Sequence, residues 1–189
     1  MSVVVTGCSD MNIDEHIDTS NLDSSKWPWN GVAQGKIKRW HGLIPVKTNG
    51  ISRAEDALDR IEAELGKTLF DRDSIREKPD SEIVRGIIVS VGTAVDRNMD
   101  ENTCGNVGAK PRNYSYPQRF LKSTGEIDTT LYVNLGSQYC DDTKKGNQQS
   151  DIAVHEFGHA LGLGEHFQGF GIGPIISPKF WAVLKEIYK

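Results

Sequence analysis

The stretch VHEFGHALGLGEH, residues 154–166, decides the fold of this chain. Its apolar residues and its length predict a helix over the first half. His155 and His159 are four residues apart, so a helix places both imidazoles on one face, one turn apart. Glu156 follows the first histidine directly. Gly162 predicts the end of the helix, because glycine readily takes the backbone conformation with which helices stop.

Two imidazoles on one helical face beside a carboxylate form the arrangement with which helices bind zinc. Bound zinc polarises a carbonyl group and lowers the pKa of a water molecule toward about 7. Glu156 would take the proton of that water as general base and pass it to the leaving amine. The rest of the helix is apolar, so burying His155, Glu156 and His159 without a metal or other partners would oppose folding. A solvated helix carrying a chance motif is the alternative.

The run from His155 to Gly164 resembles the metzincin motif HExxHxxGxxH, especially in its matrixin-like form. The resemblance is close over residues 150–167, and elsewhere it extends only to the order of helices and strands. It implies an α+β fold: a metzincin-like zincin domain with a twisted mixed β-sheet, an active-site helix and a C-terminal helix. It also implies a zinc-dependent endopeptidase that hydrolyses peptide or protein substrates. A zinc amidase acting on cell-wall peptides is a variant of the same chemistry.

The third zinc ligand has two candidates. The family spacing places it at Glu165, whereas a histidine follows one residue later, at His166. We favour His166, because neutral imidazole suits zinc and the glycines at 162 and 164 allow a longer return of the chain. Glu165 remains the alternative, since two histidines and a glutamate also bind zinc.

A second departure from the family is the missing methionine turn beneath the metal. All three methionines precede the site: Met1, Met11 and Met99. Residues 174–178 lie where the turn is expected, and Ile175 or Ile176 is predicted to supply the apolar floor. Both departures motivate another hypothesis, a non-catalytic zinc-binding or adhesion module on the same scaffold. A metal-free structural domain is a further alternative.

Other helix signals lie on either side of the motif. Ser52–Glu55 has the form of a capping box that begins a helix, and Gly66 is predicted to end it. The motif helix can be capped by Ser150 or Asp151. Ser177–Pro178 predicts the start of the last helix, with serine as the cap and proline in the first turn.

Three segments predict strands. Residues 36–48 indicate one or two strands, and the β-branched run at 83–91 indicates a central one. Leu131–Leu135 predicts another, which the resemblance places at the sheet edge that lines the cleft. There an extended peptide could pair with it; an ordinary core strand is the alternative.

The polar segment 95–119 is predicted to be a long loop. Its acidic residues could hold a structural calcium ion, although a solvated loop is favoured because the spacing matches no EF-hand. These acidic residues are Asp96, Asp100 and Glu101.

The N-terminal 35 residues predict a tether or lead-in, followed by a metallopeptidase domain over 36–189. Val5–Cys8 resembles a bacterial lipobox, although the apolar run before it is short. Either the match is accidental, or Cys8 is a lipid anchor and the protein is an exported cell-envelope lipoprotein or is secreted. In an exported protein Cys104 and Cys140 could form a disulfide; two reduced thiols are the alternative.

The overall composition is that of an ordinary globular protein. The chain has 189 residues, of which 37% are hydrophobic, and this length fits one domain. Its 22 basic and 26 acidic residues give a net charge of −4, and no basic cluster suggests a nucleic-acid partner. No apolar run approaches the roughly 18 residues of a membrane helix. A monomer is predicted.

Overall fold

The computed structural model describes residues 37–92, 104–111, 124–136, 151–164 and 166–189. Several predictions concern residues outside these ranges and stay predictions. They are the lead-in of residues 1–35 with its anchor at Cys8, the cap at Ser150, the ligand at Glu165, the calcium site at Asp96, Asp100 and Glu101, and the Cys140 half of the disulfide.

The described residues form seven strands and three α-helices. In chain order they are β1 (Ile44–Lys47), α1 (Ser52–Leu65), β2 (Phe70–Asp71), β3 (Gly86–Val91), β4 (Gly105–Gly108), β5 (Thr130–Leu135), α2 (Asp151–Ala160), β6 (Phe167–Gln168), β7 (Gly171–Ile172) and α3 (Pro178–Ile187). A short 3-10 turn at Asp80–Glu82 precedes β3.

Five strands form one mixed sheet in the order β2-β1-β3-β5-β4. Its first four strands are parallel, and β4 runs antiparallel to β5. The predicted central strand is confirmed, since β3 lies in the middle of the sheet. Ile87 and Val89 of β3 are paired with Leu131 and Val133 of β5, and all four enter the core. The fold is therefore α+β with a mixed sheet, as the coarse prediction stated.

The predicted position of the sheet edge is wrong. Strand β5 lies between β3 and β4, so Leu131–Leu135 is an internal strand, and β4 is the edge of the described sheet. The prediction of a loop over 95–119 is also wrong, because Gly105–Gly108 within that segment form β4. The Gly-Asn-Val-Gly sequence of β4 has little intrinsic preference for a strand, and it becomes one through backbone pairing with β5.

Helix α1 has its predicted extent but not its predicted cap. Ile51 occupies the N-cap position, and no side chain in the described part of the chain caps the helix, so the capping-box prediction is wrong. Glu55 instead accepts a hydrogen bond from the Thr48 hydroxyl and pairs with Arg72. The predicted stop is confirmed: Gly66 has a φ of 67°, and its N–H donates to the carbonyl of Ala63.

The other two helices pack around the sheet and α1. Ser177 caps α3 as predicted, its Oγ accepting from the backbone N–H groups of Lys179 and Phe180. Asp151 is the first residue of α2 and forms an ion pair with Arg60 of α1. The Arg60 guanidinium also lies 5.4 Å from the ring centre of Trp181 on α3. This arginine therefore joins all three helices.

Within the described ranges, no helix combines the length and the apolar character that crossing a bilayer requires.

Candidate metal centre

The motif forms a buried helix, as predicted. Helix α2 ends at Ala160, and its apolar side is anchored in the core by Val154, Phe157 and Ala160. His155 and Glu156 are almost fully buried, with relative exposures of 7% and 6%. These polar side chains are therefore held in a largely apolar setting, where they need partners.

Gly162 turns the chain away from the end of α2. Its φ is 122°, a conformation that favours glycine, and an added Cβ would collide with the carbonyl oxygen of Lys38. The predicted helix end at Gly162 is therefore confirmed. The chain then returns toward α2 and brings His166 over the helix.

The imidazoles of His155, His159 and His166 converge on one point. Nε2 of His166 lies 3.0 Å from Nε2 of His155 and 3.2 Å from Nε2 of His159. One nitrogen from each of the three rings lies within 4.8 Å of the other two. A tetrahedral zinc site, with Zn–N bonds of about 2.0–2.1 Å, separates its nitrogens by roughly 3.3 Å. The three histidines can therefore hold a single metal ion.

Backbone carbonyls set the proton positions on two of these rings. Nδ1 of His159 lies 2.6 Å from the carbonyl oxygen of Leu163, and Nδ1 of His155 lies 3.4 Å from that of Ile175. A carbonyl oxygen can only accept, so each Nδ1 is the protonated nitrogen and each Nε2 keeps its lone pair. Metal-binding histidines are commonly oriented in this way.

Burial keeps the same two rings neutral. Burial, followed by the neighbouring His159 and His166, lowers the pKa of His155 to about 3. Burial also lowers the pKa of His159 to about 4, although its hydrogen bond to the Leu163 carbonyl opposes the shift. Both imidazoles are therefore neutral at pH 7, with one ring proton on Nδ1 and a free lone pair on Nε2, the form that binds metals.

An aromatic ring forms the floor of the site. Phe170 is fully buried, and its ring centre lies 4.3 Å from that of His155 and 4.8 Å from that of His159. The floor was predicted at Ile175 or Ile176. Ile175 instead contributes a carbonyl, and Ile176 packs at the margin of the core.

Two glycines allow the backbone to pack closely against the aromatic and histidine rings of the site. An added Cβ at Gly158 would come within 2.9 Å of both Phe170 and Phe180. An added Cβ at Gly171, whose φ is 73°, would come within 2.9 Å of His155 and His166.

Glu156 points toward the sheet edge. A Cβ on Gly105 of β4 would lie 2.5 Å from Cγ and 2.6 Å from Oε1 of Glu156, so the carboxylate rests against the backbone of this strand. Burial raises the pKa of Glu156 to about 8. A cation nearby would favour the ionised form and oppose that shift.

The structure thus assembles most of the predicted site. It brings together His155, His159 and His166, while Glu165 lies outside the described residues. The contributions of Gly105 and of the Leu163 carbonyl were not predicted. No sequence pattern marks either, whereas Phe170, an aromatic residue between two glycines, could have been noticed.

Two tyrosines of the described residues, Tyr188 and Tyr132, contact other parts of the fold. Tyr188 donates its hydroxyl to the carbonyl of Leu161 and accepts from the N–H of Trp40, so it stabilises the turn after α2. Tyr132 packs with Ile75, Ile83 and Ile88 in a cluster separate from the main core.

No protein-family model matches this chain, and no curated protein is similar to it in sequence.

Proposed function

We propose that this protein is a zinc-dependent endopeptidase of the metzincin-like kind. One observation carries the proposal: the Nε2 atoms of His155, His159 and His166 converge at 3.0 and 3.2 Å while Glu156 follows the first ligand on the same helix. Zinc is the proposed ion because three imidazoles form a donor set typical of catalytic zinc, which keeps its fourth position for water or substrate. The mixed sheet and the α2 helix are compatible with the metzincin-like architecture.

When bound, zinc would supply Lewis-acid chemistry, polarising an amide carbonyl and making a water molecule more acidic. The three histidines would orient the ion, and the carbonyls of Leu163 and Ile175 would hold two of the rings in place. Glu156 would remove a proton from the attacking water and deliver it to the nitrogen of the leaving amine. Its apolar surroundings favour a carboxyl group that can exist in both protonation states near neutral pH.

Strand β4 is the proposed substrate-binding edge, in place of Leu131–Leu135. In the described sheet it is the edge strand, and its Gly105 touches Glu156. An extended peptide that pairs with a strand edge gains main-chain hydrogen bonds whatever its side chains are. A peptide pairing there would lie beside the proposed general base.

Metal removal tests the proposed activity. The full chain, purified without chelator, is expected to cleave members of a random peptide library, to lose cleavage after dialysis against a zinc chelator, and to regain it with one equivalent of zinc. Stoichiometric zinc without cleavage of any peptide would contradict the proposal and favour the non-catalytic module. Cleavage that persists in the metal-free protein would also contradict it.

Replacing Gly105 with alanine tests the contact between β4 and Glu156. The added Cβ would displace the carboxylate, and we expect turnover to fall about 10–100-fold because small misplacements of reacting groups are costly. Zinc content should not change, since no ligand lies on β4. Val89→Ala, which loses core packing on β3 and changes no residue of β4, is the matched control. Equal kcat values for Gly105→Ala and the wild type would contradict the assigned contact.

A further inference from the structure

Strand β4 has few means of fixing its alignment with β5. It comprises four residues, two of which are glycines, and within the described part of the chain it pairs with β5 alone. By contrast, β5 is paired with β3 over six residues. Glycine-rich strands have a weakly specified register, so the alignment of β4 depends on its two remaining side chains.

Those two side chains lie on opposite faces of the sheet. Val107 stands opposite Val133 and enters the main core. Asn106 stands opposite Asn134, and Nδ2 of Asn134 donates to Oδ1 of Asn106 over 2.7 Å. Both asparagines are buried, with relative exposures of 4% and 0%.

Stability alone does not explain this amide pair. Nδ2 of Asn106 is buried and finds no hydrogen-bond partner among the described residues. A buried donor without an acceptor opposes folding, and two apolar side chains of similar shape would avoid that cost. Buried polar contacts are known to fix one alignment among several at the expense of stability.

The register of β4 decides what lies against Glu156. A shift of one residue would turn Asn106 toward α2 and place either Asn106 or residue 104 in the space that only Gly105 fits. A shift of two residues would keep each face but place Asn134 opposite residue 104 or 108 and break the amide pair. The geometry points to Asn106 and Asn134 as positioning residues that hold β4 in the single register that sets Gly105 against Glu156. The functional part of this role rests on the proposed peptidase activity.

The test replaces both asparagines with leucine in the full, zinc-loaded chain. Leucine keeps the approximate size and removes the hydrogen bond. We expect the amide NMR signals of Gly105 and Gly108 to split into more than one set, and the contact between Val107 and Val133 to weaken. Zinc stoichiometry should stay unchanged, while kcat/KM should fall about a hundredfold because Glu156 and substrate are misaligned.

Two further variants serve as controls. Ile88→Val on β3 loses packing on the same face of the sheet as Asn134 and should retain one set of signals. A threonine pair at 106 and 134 can restore a cross-strand hydrogen bond and should also retain one set, with kcat/KM nearer to that of the wild type. If the leucine pair does not fold, Asn106→Ala, which removes the hydrogen bond, is compared with the threonine pair, which can keep one. We then expect more than one set of signals from Asn106→Ala and one set from the threonine pair.

One set of signals and an intact Val107–Val133 contact in the leucine pair would overturn the inference, whatever its activity. So would one set of signals in Asn106→Ala, if that variant is needed. If the wild type shows no turnover, the proposed function fails separately, because the spectra decide the register without any catalytic measurement.

Discussion

Replacing Glu156 with glutamine is expected to abolish peptide hydrolysis while leaving one zinc ion bound per chain. Glutamine keeps the size of the side chain but cannot take up the proton of the attacking water. General-base catalysis commonly contributes about 10²–10⁴-fold in rate, so kcat should fall by that factor. Glu156 is not among the three clustered histidines, and zinc content measured by elemental analysis should therefore match that of the wild type.

The matched control is Glu64→Gln, which makes the same chemical change on the exposed side of α1, where Glu64 pairs with Lys185. That variant should retain full turnover. Undiminished turnover of the Glu156→Gln protein would exclude the proposed mechanism. Loss of zinc from it would show that the carboxylate holds the metal instead of moving protons.

Replacing His166 with alanine is expected to weaken zinc binding more than any substitution outside the three ligands. His166 supplies the nitrogen that lies within 3.2 Å of both other Nε2 atoms. Loss of a group that merely supports a ligand costs about 10–100-fold in metal affinity, and loss of a ligand itself should cost more. Competition with a chromophoric chelator measures the change.

Glu165→Ala is the paired variant, because the family spacing puts the third ligand at that position. We expect it to bind zinc about as tightly as the wild type. The opposite result, in which Glu165→Ala loses zinc and His166→Ala retains it, would assign the third ligand to the glutamate and contradict the geometry of the imidazoles.

The positions of the two histidines on α2 were predictable because local periodicity determines their placement. Two histidines four residues apart on a helix must share a face, and an apolar helix must be buried. The same local rules predicted the stop at Gly66 and the Ser177 cap. The return of His166 followed from the glycines after the helix, although no rule of spacing selected it over Glu165.

Features that depend on tertiary contacts were missed. Strand β4 exists because β5 offers it a backbone ladder, and its sequence has no alternating apolar pattern. Phe170 becomes the floor of the site only when the turn around it folds back onto α2. The capping box at Ser52 failed because Glu55 is engaged by Thr48 and Arg72 instead of by the start of the helix. In each case the structure depends on contacts with other segments of the chain, which the local sequence does not reveal.

X-ray absorption spectroscopy of the zinc-loaded full chain tests the central claim most directly. Three imidazoles that converge on one ion predict one zinc per chain, surrounded by three histidine nitrogens at about 2.0–2.1 Å. A shell of sulfur at about 2.3 Å, fewer than three imidazoles, or no stoichiometric zinc would contradict the account.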